Sequence, residues 1–217
     1  MSEPSVRSPR ERYREQMRAE IKDCARQQIA AAGASALSLN AIAKQVGMSG
    51  PALYRYFASR DDLITELIRD AYRSLADAVR AAFDPGDLTT VAHAIRDWAL
   101  HDPHRYFLVY GTPVPGYHAP EDTTAISSEI MAVLIEACAA LPSSAPATPF
   151  DTHLERHRAW AAGHSVPAAT LHRAISVWTR LHGVLSLELA GHFAGMGFDP
   201  ALLFAEELNA LVADRPR

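Results

Sequence analysis

The chain has 217 residues, of which 48% are hydrophobic and only 8% aromatic, so alanine and leucine supply the core and helices are favoured over strands. No run of 18 apolar residues occurs and the N-terminus, MSEPSVRSPRER, lacks an apolar signal core. This excludes a membrane-spanning helix and predicts a soluble, cytoplasmic protein with no membrane partner. The net charge of −4 is unevenly spread: residues 1–60 carry +5 and residues 61–217 carry −9, a basic head on an acidic body.

Residues 1–9 are polar with two prolines and read as an extended arm. Arg7, with Arg10, Arg12 and Arg14 just beyond, either lies along a polyanion or is a solvated terminus. From Pro9 the spacing predicts a helix to about Ala32, with Met17, Ile21, Ala25 and Ile29 four apart and Gly33 as its stop. The next stretch, Ser38 to Arg60, reads SLNAIAKQVGMSGPALYRYFASR. It holds two short apolar-periodic segments, Leu39 to Val46 and Gly50 to Phe57, each preceded by a serine able to cap a helix start. Leu39, Ile42, Ala43 and Val46 share one side of the first segment. Gly47 gives the backbone its freedom to reverse, and Met48 fills the corner. Leu53 and Phe57 face inward from the second, which leaves Pro51, Ala52, Tyr54, Arg55 and Tyr56 over the outer surface. The pattern is a helix-turn-helix.

Such a surface suits a major groove, which a recognition helix enters by its N-terminal residues. Gly50, Pro51 and Ala52 allow close backbone approach, and the Pro51 ring or the Ala52 methyl can touch a thymine methyl. Tyr54, Tyr56, Arg60 and Lys44 are the expected phosphate contacts. A tight helix corner unrelated to DNA is the competing reading of this composition. The longer string A-I-A-K-Q-V-G-M-S-G-P-A-L-Y-R-Y-F-A-S-R-D-D-L resembles the DNA-binding domain of the TetR family of transcriptional repressors. In that family an apolar second helix, a Gly-x-Ser turn, Leu-Tyr-x-His/Tyr-Phe and a basic residue before an acidic-Leu helix start recur at these spacings. The resemblance covers about the first third of the chain and implies a dimeric repressor whose C-terminal half binds a small molecule. It offers Asn40 for base reading, with Ser49, Pro51 and Ala52 as the other base-reading positions.

After Phe57, Ser59 caps a long helix whose first turn carries Asp61 and Asp62. Leu63, Leu67, Ala71, Leu75 and Val79, with Ile64, Ile68, Tyr72 and Phe83 beside them, make one apolar stripe. This rod is either plain architecture or, as the resemblance implies, the lever between head and body. Asp84-Pro-Gly86 ends it. Helices follow from about Asp87 to Leu100 and from Asp102-Pro103 to Gly111, then a stiff loop over 112–122, a helix from Thr123 to Ala140, a linker over 141–150 and a short helix from Asp151 to Ala162. From Pro167 to His192 one stripe (Leu171, Ile175, Trp178, His182, Leu185, Leu189) runs beside another (Ala174, Val177, Leu181, Val184). A helix apolar on two faces needs two covers. Its own domain is one, and a second copy is the other, joined by a last helix from Pro200 to Val212. The expected architecture is all-α: a three-helix DNA-binding domain over 10–60 (motif about 38–57), then a ligand-binding and dimerisation domain over 61–217. A two-fold dimer through the last two helices sets the recognition helices about 34–36 Å apart, one turn of operator DNA.

Trp178-Thr-Arg-Leu-His182-Gly183, with Gly111-Thr-Pro-Val-Pro-Gly-Tyr117, also resembles the C-terminal domain of a TetR subgroup named for its Trp-His-Gly signature. Trp98, Tyr106, Phe107, Tyr110, Tyr117, Trp178 and His182 supply aromatic walls with a few polar tips, as a small-molecule effector pocket requires, and each also fits a plain core. His182 is a polar group within an apolar stripe: it either hydrogen-bonds an effector or is satisfied by a backbone carbonyl. No cofactor or metal is expected. Cys24 and Cys138 match no metal or redox spacing, and His153 and His157, four apart, have no Glu beside the first in the H-E-x-x-H manner and no cysteine near. No catalytic set is found either. Gly111 to Gly116 has prolines where a phosphate loop needs N–H donors, and Gly163-His-Ser165 lacks a nucleophile elbow. The rival readings are a small-molecule enzyme on an inherited scaffold, with His182 as its only candidate, and a protein-interaction module.

Overall fold

The protein's structure, a computed structural model, describes residues 8–111, 121–142, 146–161 and 163–213. Among the described residues there is no strand. The helices are α1 (Pro9–Ala32), α2 (Leu39–Gln45), α3 (Gly50–Leu53), α4 (Arg60–Ala81), α5 (Leu88–His101), α6 (Pro103–Tyr110), α7 (Glu121–Ala139), α8 (Pro149–Arg156), α9 (Ala168–Leu189) and α10 (Pro200–Val212). Two compact units part inside α4, between Asp70 and Ala71. The first turns of α4 go with α1 because Glu66 pairs with Arg18 at 3.1 Å and Asp70 with Lys22 at 2.7 Å. From Ala71 onward the helix contributes to the core of the second unit.

In the first unit α1 opens on a capping box: Ser8 Oγ accepts from the Glu11 N–H at 3.3 Å, and the Glu11 carboxylate accepts from the Ser8 N–H at 2.7 Å. Met17, Ile21, Ala25 and Ile29 are its buried face. Ser38 caps α2 by accepting from the Ala41 N–H at 3.3 Å. Ser49, expected to cap α3 in the same way, makes no such bond. The second helix of the motif is also shorter than its periodicity predicts, ending at Leu53 rather than Phe57. Beyond it the Tyr56 N–H donates to the Leu53 carbonyl at 2.8 Å in a tightened turn. One long-range and one local contact engage backbone groups just after it. Arg18 donates to the Tyr56 carbonyl at 2.5 Å, and the Ala58 N–H donates to the Asp62 carboxylate at 3.0 Å. Ser59 Oγ accepts from the Asp62 N–H at 3.0 Å, so α4 starts as expected.

The second unit packs α5, α6, α7, α9 and α10 with the later turns of α4. Leu75, Leu88, Ile95, Tyr106, Ile130, Leu171, Val177 and Phe204 are among its fully buried side chains. Asp87 and Asp102 cap α5 and α6, each accepting a backbone N–H at 3.0 Å. The helix expected over Asp151 to Ala162 instead starts at Pro149 behind a Thr148 capping box and stops at Arg156. Arg158 donates to the carbonyls of His164 at 3.1 Å and Val166 at 2.7 Å, which holds the chain in a bend before α9. One stripe of α9 (Ala174, Val177, Leu181, Val184) is buried, while Ile175, Trp178, His182 and Leu189 on the other are half-buried. An ion pair from Arg96 to both Glu188 carboxylate oxygens, one at 2.8 Å, joins α5 to α9. The same guanidinium lies 5.2 Å from the Phe204 ring centroid of α10. Among the described residues no helix is long and apolar enough to cross a membrane.

Candidate functional sites

The helix-turn-helix is built from the inside out. Leu53 and Phe57 are fully buried, and Ile42 and Ala43 of α2 form the opposing floor. Gly47 adopts φ 70°, the left-handed conformation that favours glycine, and the Met48 N–H returns to the Ala43 carbonyl at 2.8 Å to close the corner. With the apolar faces turned in, Asn40, Lys44, Ser49, Pro51 and Tyr54 are exposed, and Gly50, Ala52 and Tyr56 are half-buried beside them. Asn40 and Gly50 are neighbours in space. A Cβ on Gly50 would lie 3.6 Å from Asn40 Oδ1, so the side chain of α2 reaches the first residue of α3.

Arg60 stands differently from the other expected phosphate contacts. Its guanidinium donates to the carbonyls of Ala34 at 2.7 Å and Leu37 at 3.3 Å and pairs with Asp61 at 3.4 Å, so it clamps the loop between α1 and α2 onto the start of α4. A residue that local spacing does not single out, Arg18, braces the motif from α1. It lies 4.2 Å from the Phe57 ring centroid while bonding the Tyr56 carbonyl. Gln28 Oε1 accepts from the Ser38 N–H at 3.0 Å and supports the entry to α2.

In the second unit the aromatic residues gather around α6 and α9. The Tyr106 hydroxyl is 2.8 Å from Ser186 Oγ, 3.0 Å from His182 Nδ1 and 3.3 Å from the His182 carbonyl. Tyr110 lies against Tyr106, Trp178 and His182 at ring-centroid distances of 5.3, 5.5 and 4.3 Å, and Trp178 meets His182 at 4.1 Å. Phe107 adds an edge contact to Tyr106 at 5.5 Å. Tyr72, from α4, joins Tyr110 edge-on at 6.1 Å. Trp98 is elsewhere: its Nε1 donates to Ser74 Oγ at 3.2 Å and its ring lies 4.7 Å beneath the Arg105 guanidinium. Tyr117 lies outside the described residues. Sequence reading missed Tyr72 and Ser186. Ser186 sits four residues after His182, a spacing that places both on one helix face.

Two polar atoms in this cluster are buried with no hydrogen-bond partner among the described residues, Tyr110 Oη and His182 Nε2. Burial alone pushes the His182 imidazole down to about 4, so it is neutral at physiological pH. Burial, followed by the neighbouring Tyr72 and Tyr106, raises the Tyr110 phenol well above its ordinary range. Both groups are uncharged hydrogen-bonding tips in an aromatic setting. The other histidine pair, His153 and His157, stacks ring on ring at 4.1 Å, with His157 Nδ1 2.9 Å from the His153 carbonyl. Among the described residues no three His, Cys, Asp or Glu side chains gather as metal ligands. Burial pushes the Cys138 thiol up to about 12.

Residues 21–67 match the family model described as bacterial regulatory proteins, tetR family, and residues 88–211 match the tetracyclin repressor-like, C-terminal domain. The second description does not name the Trp-His-Gly subgroup. The chain is similar to the HTH-type transcriptional regulator Rv1816 of Mycobacterium tuberculosis, at 37% identity over 217 residues and 92% of each chain. It is also similar to the regulatory protein SCO4313, whose crystal structure superposes with a TM-score of 0.88 at 66% identity, covering 94% of this chain and 99% of that one. PfmR from Thermus thermophilus shares the fold, with a TM-score of 0.57 at 18% identity over 91% and 99% of the two chains. The fold, the helix-turn-helix and these relatives define a DNA-binding transcriptional regulator, not an enzyme. The chain belongs to the TetR family.

Proposed function

We propose that this regulator is a cytoplasmic, ligand-responsive repressor that binds a palindromic operator as a homodimer. The observation that carries the ligand response is a pair of buried atoms, Tyr110 Oη and His182 Nε2, that have no hydrogen-bond partner among the described residues. Leaving such a group unmet costs roughly 1–3 kcal/mol, a penalty that a bound molecule removes. Tyr106, Phe107, Tyr110, Trp178 and His182, joined by Tyr72, form the effector site. On the DNA side Asn40, Ser49, Pro51 and Ala52 read bases, Gly50 permits close approach, and Lys44, Tyr54 and Tyr56 hold phosphates. Arg60, the remaining expected phosphate contact, bonds the Ala34 and Leu37 carbonyls of the loop between α1 and α2.

Dimerisation through α9 and α10 is supported by large apolar side chains left in solvent on them and on the segment between: Leu187 is 45% exposed, Met196 64%, Phe198 44% and Leu202 70%. A two-fold pairing covers them and duplicates the recognition helix. Effector binding shifts the population between a DNA-competent and a released state, by as much as the effector prefers one of them. Helix α4, which belongs to both units, carries the change. The test is a gel shift of the full-length protein on the intergenic DNA beside its own gene, repeated as salt rises. A shift that weakens steeply with salt is expected. Failure of an intact dimer to shift that DNA would overturn the proposal, and a monomeric wild-type protein would remove its geometric basis.

A further inference from the structure

We infer that the ligand of the Tyr110–His182 cluster is an uncharged, flat ring compound bearing a hydroxyl group, whose hydroxyl bonds Tyr110 Oη and His182 Nε2. This rests on the reading of the cluster as an effector site and goes further by assigning a chemical class. Three features of the cluster lead to it.

The first is the hydrogen-bond inventory. Tyr106 occupies one side of the imidazole, with its hydroxyl 3.0 Å from Nδ1 and supported by Ser186 Oγ at 2.8 Å. Only Nε2 remains for a ligand. If Nδ1 accepts the Tyr106 proton, the neutral ring carries its hydrogen on Nε2 and needs an acceptor; if Nδ1 donates, Nε2 is a bare lone pair and needs a donor. The Tyr110 hydroxyl can do either. A ligand hydroxyl donates and accepts, so it satisfies both atoms with either tautomer. A carbonyl or an ether can only accept, and an ammonium can only donate.

The second feature is charge. The rings that meet Tyr110 and His182 are those of Tyr72, Tyr106 and Trp178, drawn from α4, α6 and α9. Burial is what moves the His182 imidazole, and Tyr110 responds to burial and to neighbouring phenols, with no carboxylate or basic side chain contributing. A charged ligand would lose its hydration here and gain no counter-ion, so the cluster selects against it.

The third feature is shape. Tyr110 meets Trp178 at an interplanar angle of 77° and Tyr72 at 84°, and Trp178 meets His182 at 57°. Rings set steeply to one another present edges and faces together, and a flat aromatic guest extends the same edge-to-face packing.

The experiment is calorimetric titration of the full-length protein with 2-naphthol, 2-methoxynaphthalene, 2-naphthoate and 2-naphthyltrimethylammonium, on wild type and on Tyr110→Phe. The variant keeps the ring and removes an unpartnered oxygen, so its unfolding midpoint should stay at or above that of wild type and report a folded protein. Naphthol is expected to bind wild type at least about tenfold more tightly than each of the other three, as one or two additional hydrogen bonds provide. In Tyr110→Phe its advantage over the ether should shrink several-fold. If the ether, the acid or the cation binds wild type as tightly as naphthol, or if Tyr110→Phe keeps the full naphthol preference, the ligand class is overturned and the effector site stands. If none of the four binds while the same preparation still shifts its operator duplex, the cluster is sealed core, and the effector reading falls together with the ligand class.

Discussion

Arg18 of α1 lies over the Phe57 ring, with its guanidinium carbon 4.2 Å from the ring centroid, and also donates to the Tyr56 carbonyl at 2.5 Å and pairs with Glu66 at 3.1 Å. One side chain therefore holds the turn after the recognition helix, covers the buried Phe57 ring and ties both to α4. Arg18→Met should destabilise the protein by roughly 1–3 kcal/mol, from loss of the cation–π contact and of a charge-assisted hydrogen bond, with the half-exposed ion pair adding little. Urea unfolding measures this. Because Arg18 is engaged with protein groups, the salt dependence of operator binding should keep its slope even as affinity drops; a reduced slope would make Arg18 a phosphate contact.

Arg60 and Lys44 separate structural from electrostatic roles. Lys44 is exposed at the end of α2, whereas Arg60 has its donors on Ala34, Leu37 and Asp61. Lys44→Ala should leave the thermal midpoint nearly unchanged and lower the slope of log affinity against log salt by about one. Arg60→Ala should do the reverse, costing about 1 kcal/mol or more of stability through loss of its hydrogen bonds to the Ala34 and Leu37 carbonyls. Salt titrations of the gel shift, run beside thermal unfolding, distinguish the two.

In the Arg96–Glu188 pair Arg96 is buried and Glu188 half-buried, at 10% and 15% side-chain exposure. Removing one partner strands a buried charge, so Glu188→Ala should cost on the order of 3–5 kcal/mol. Replacing both, as Arg96→Met with Glu188→Leu, should recover most of that loss, since well-packed apolar side chains often match a buried ion pair. A double-mutant cycle in urea measures the coupling. Additive losses would show that the pair contributes no coupling between α5 and α9.

His182 links stability to pH in a defined direction. Burial lowers its folded-state pKa from 6.5 to about 4, so the unfolded chain takes up a proton where the folded protein does not. The stabilising contribution is complete above about 6.5 and is lost as pH falls from there toward 4, amounting to about 3 kcal/mol at the low end. Thermal midpoints of wild type should therefore fall more steeply between pH 7 and pH 5 than those of His182→Gln, which cannot titrate. Parallel curves for the two proteins would mean that the imidazole is charged in the folded state.

Much of this architecture was legible before any coordinates. The bounds of α1 and α10 and the buried face Met17-Ile21-Ala25-Ile29 follow from spacing, and the starts of α2 and α4 follow from capping side chains. These signals act within one or two turns of the chain, so a short window of residues contains them. The helix-turn-helix was legible for the same reason: Gly47, Leu53 and Phe57 are local requirements of a tight reversal with an apolar floor.

What the tertiary structure decided lies in polar and aromatic contacts that the spacing of apolar residues does not announce. The early end of α3 accompanies the engagement of backbone groups just after it by Arg18 and Asp62, and the early end of α8 accompanies the anchoring of Arg158 on the carbonyls before α9. Packing also set Trp98 against Ser74 and Arg105, brought Tyr72 to Tyr110, and left Tyr110 Oη and His182 Nε2 buried without a partner among the described residues. Periodicity tells which face of a helix turns inward. Which polar atoms on that face find a partner depends on helix packing angles and side-chain reach across tens of residues, and for Tyr110 and His182 only the assembled unit shows it.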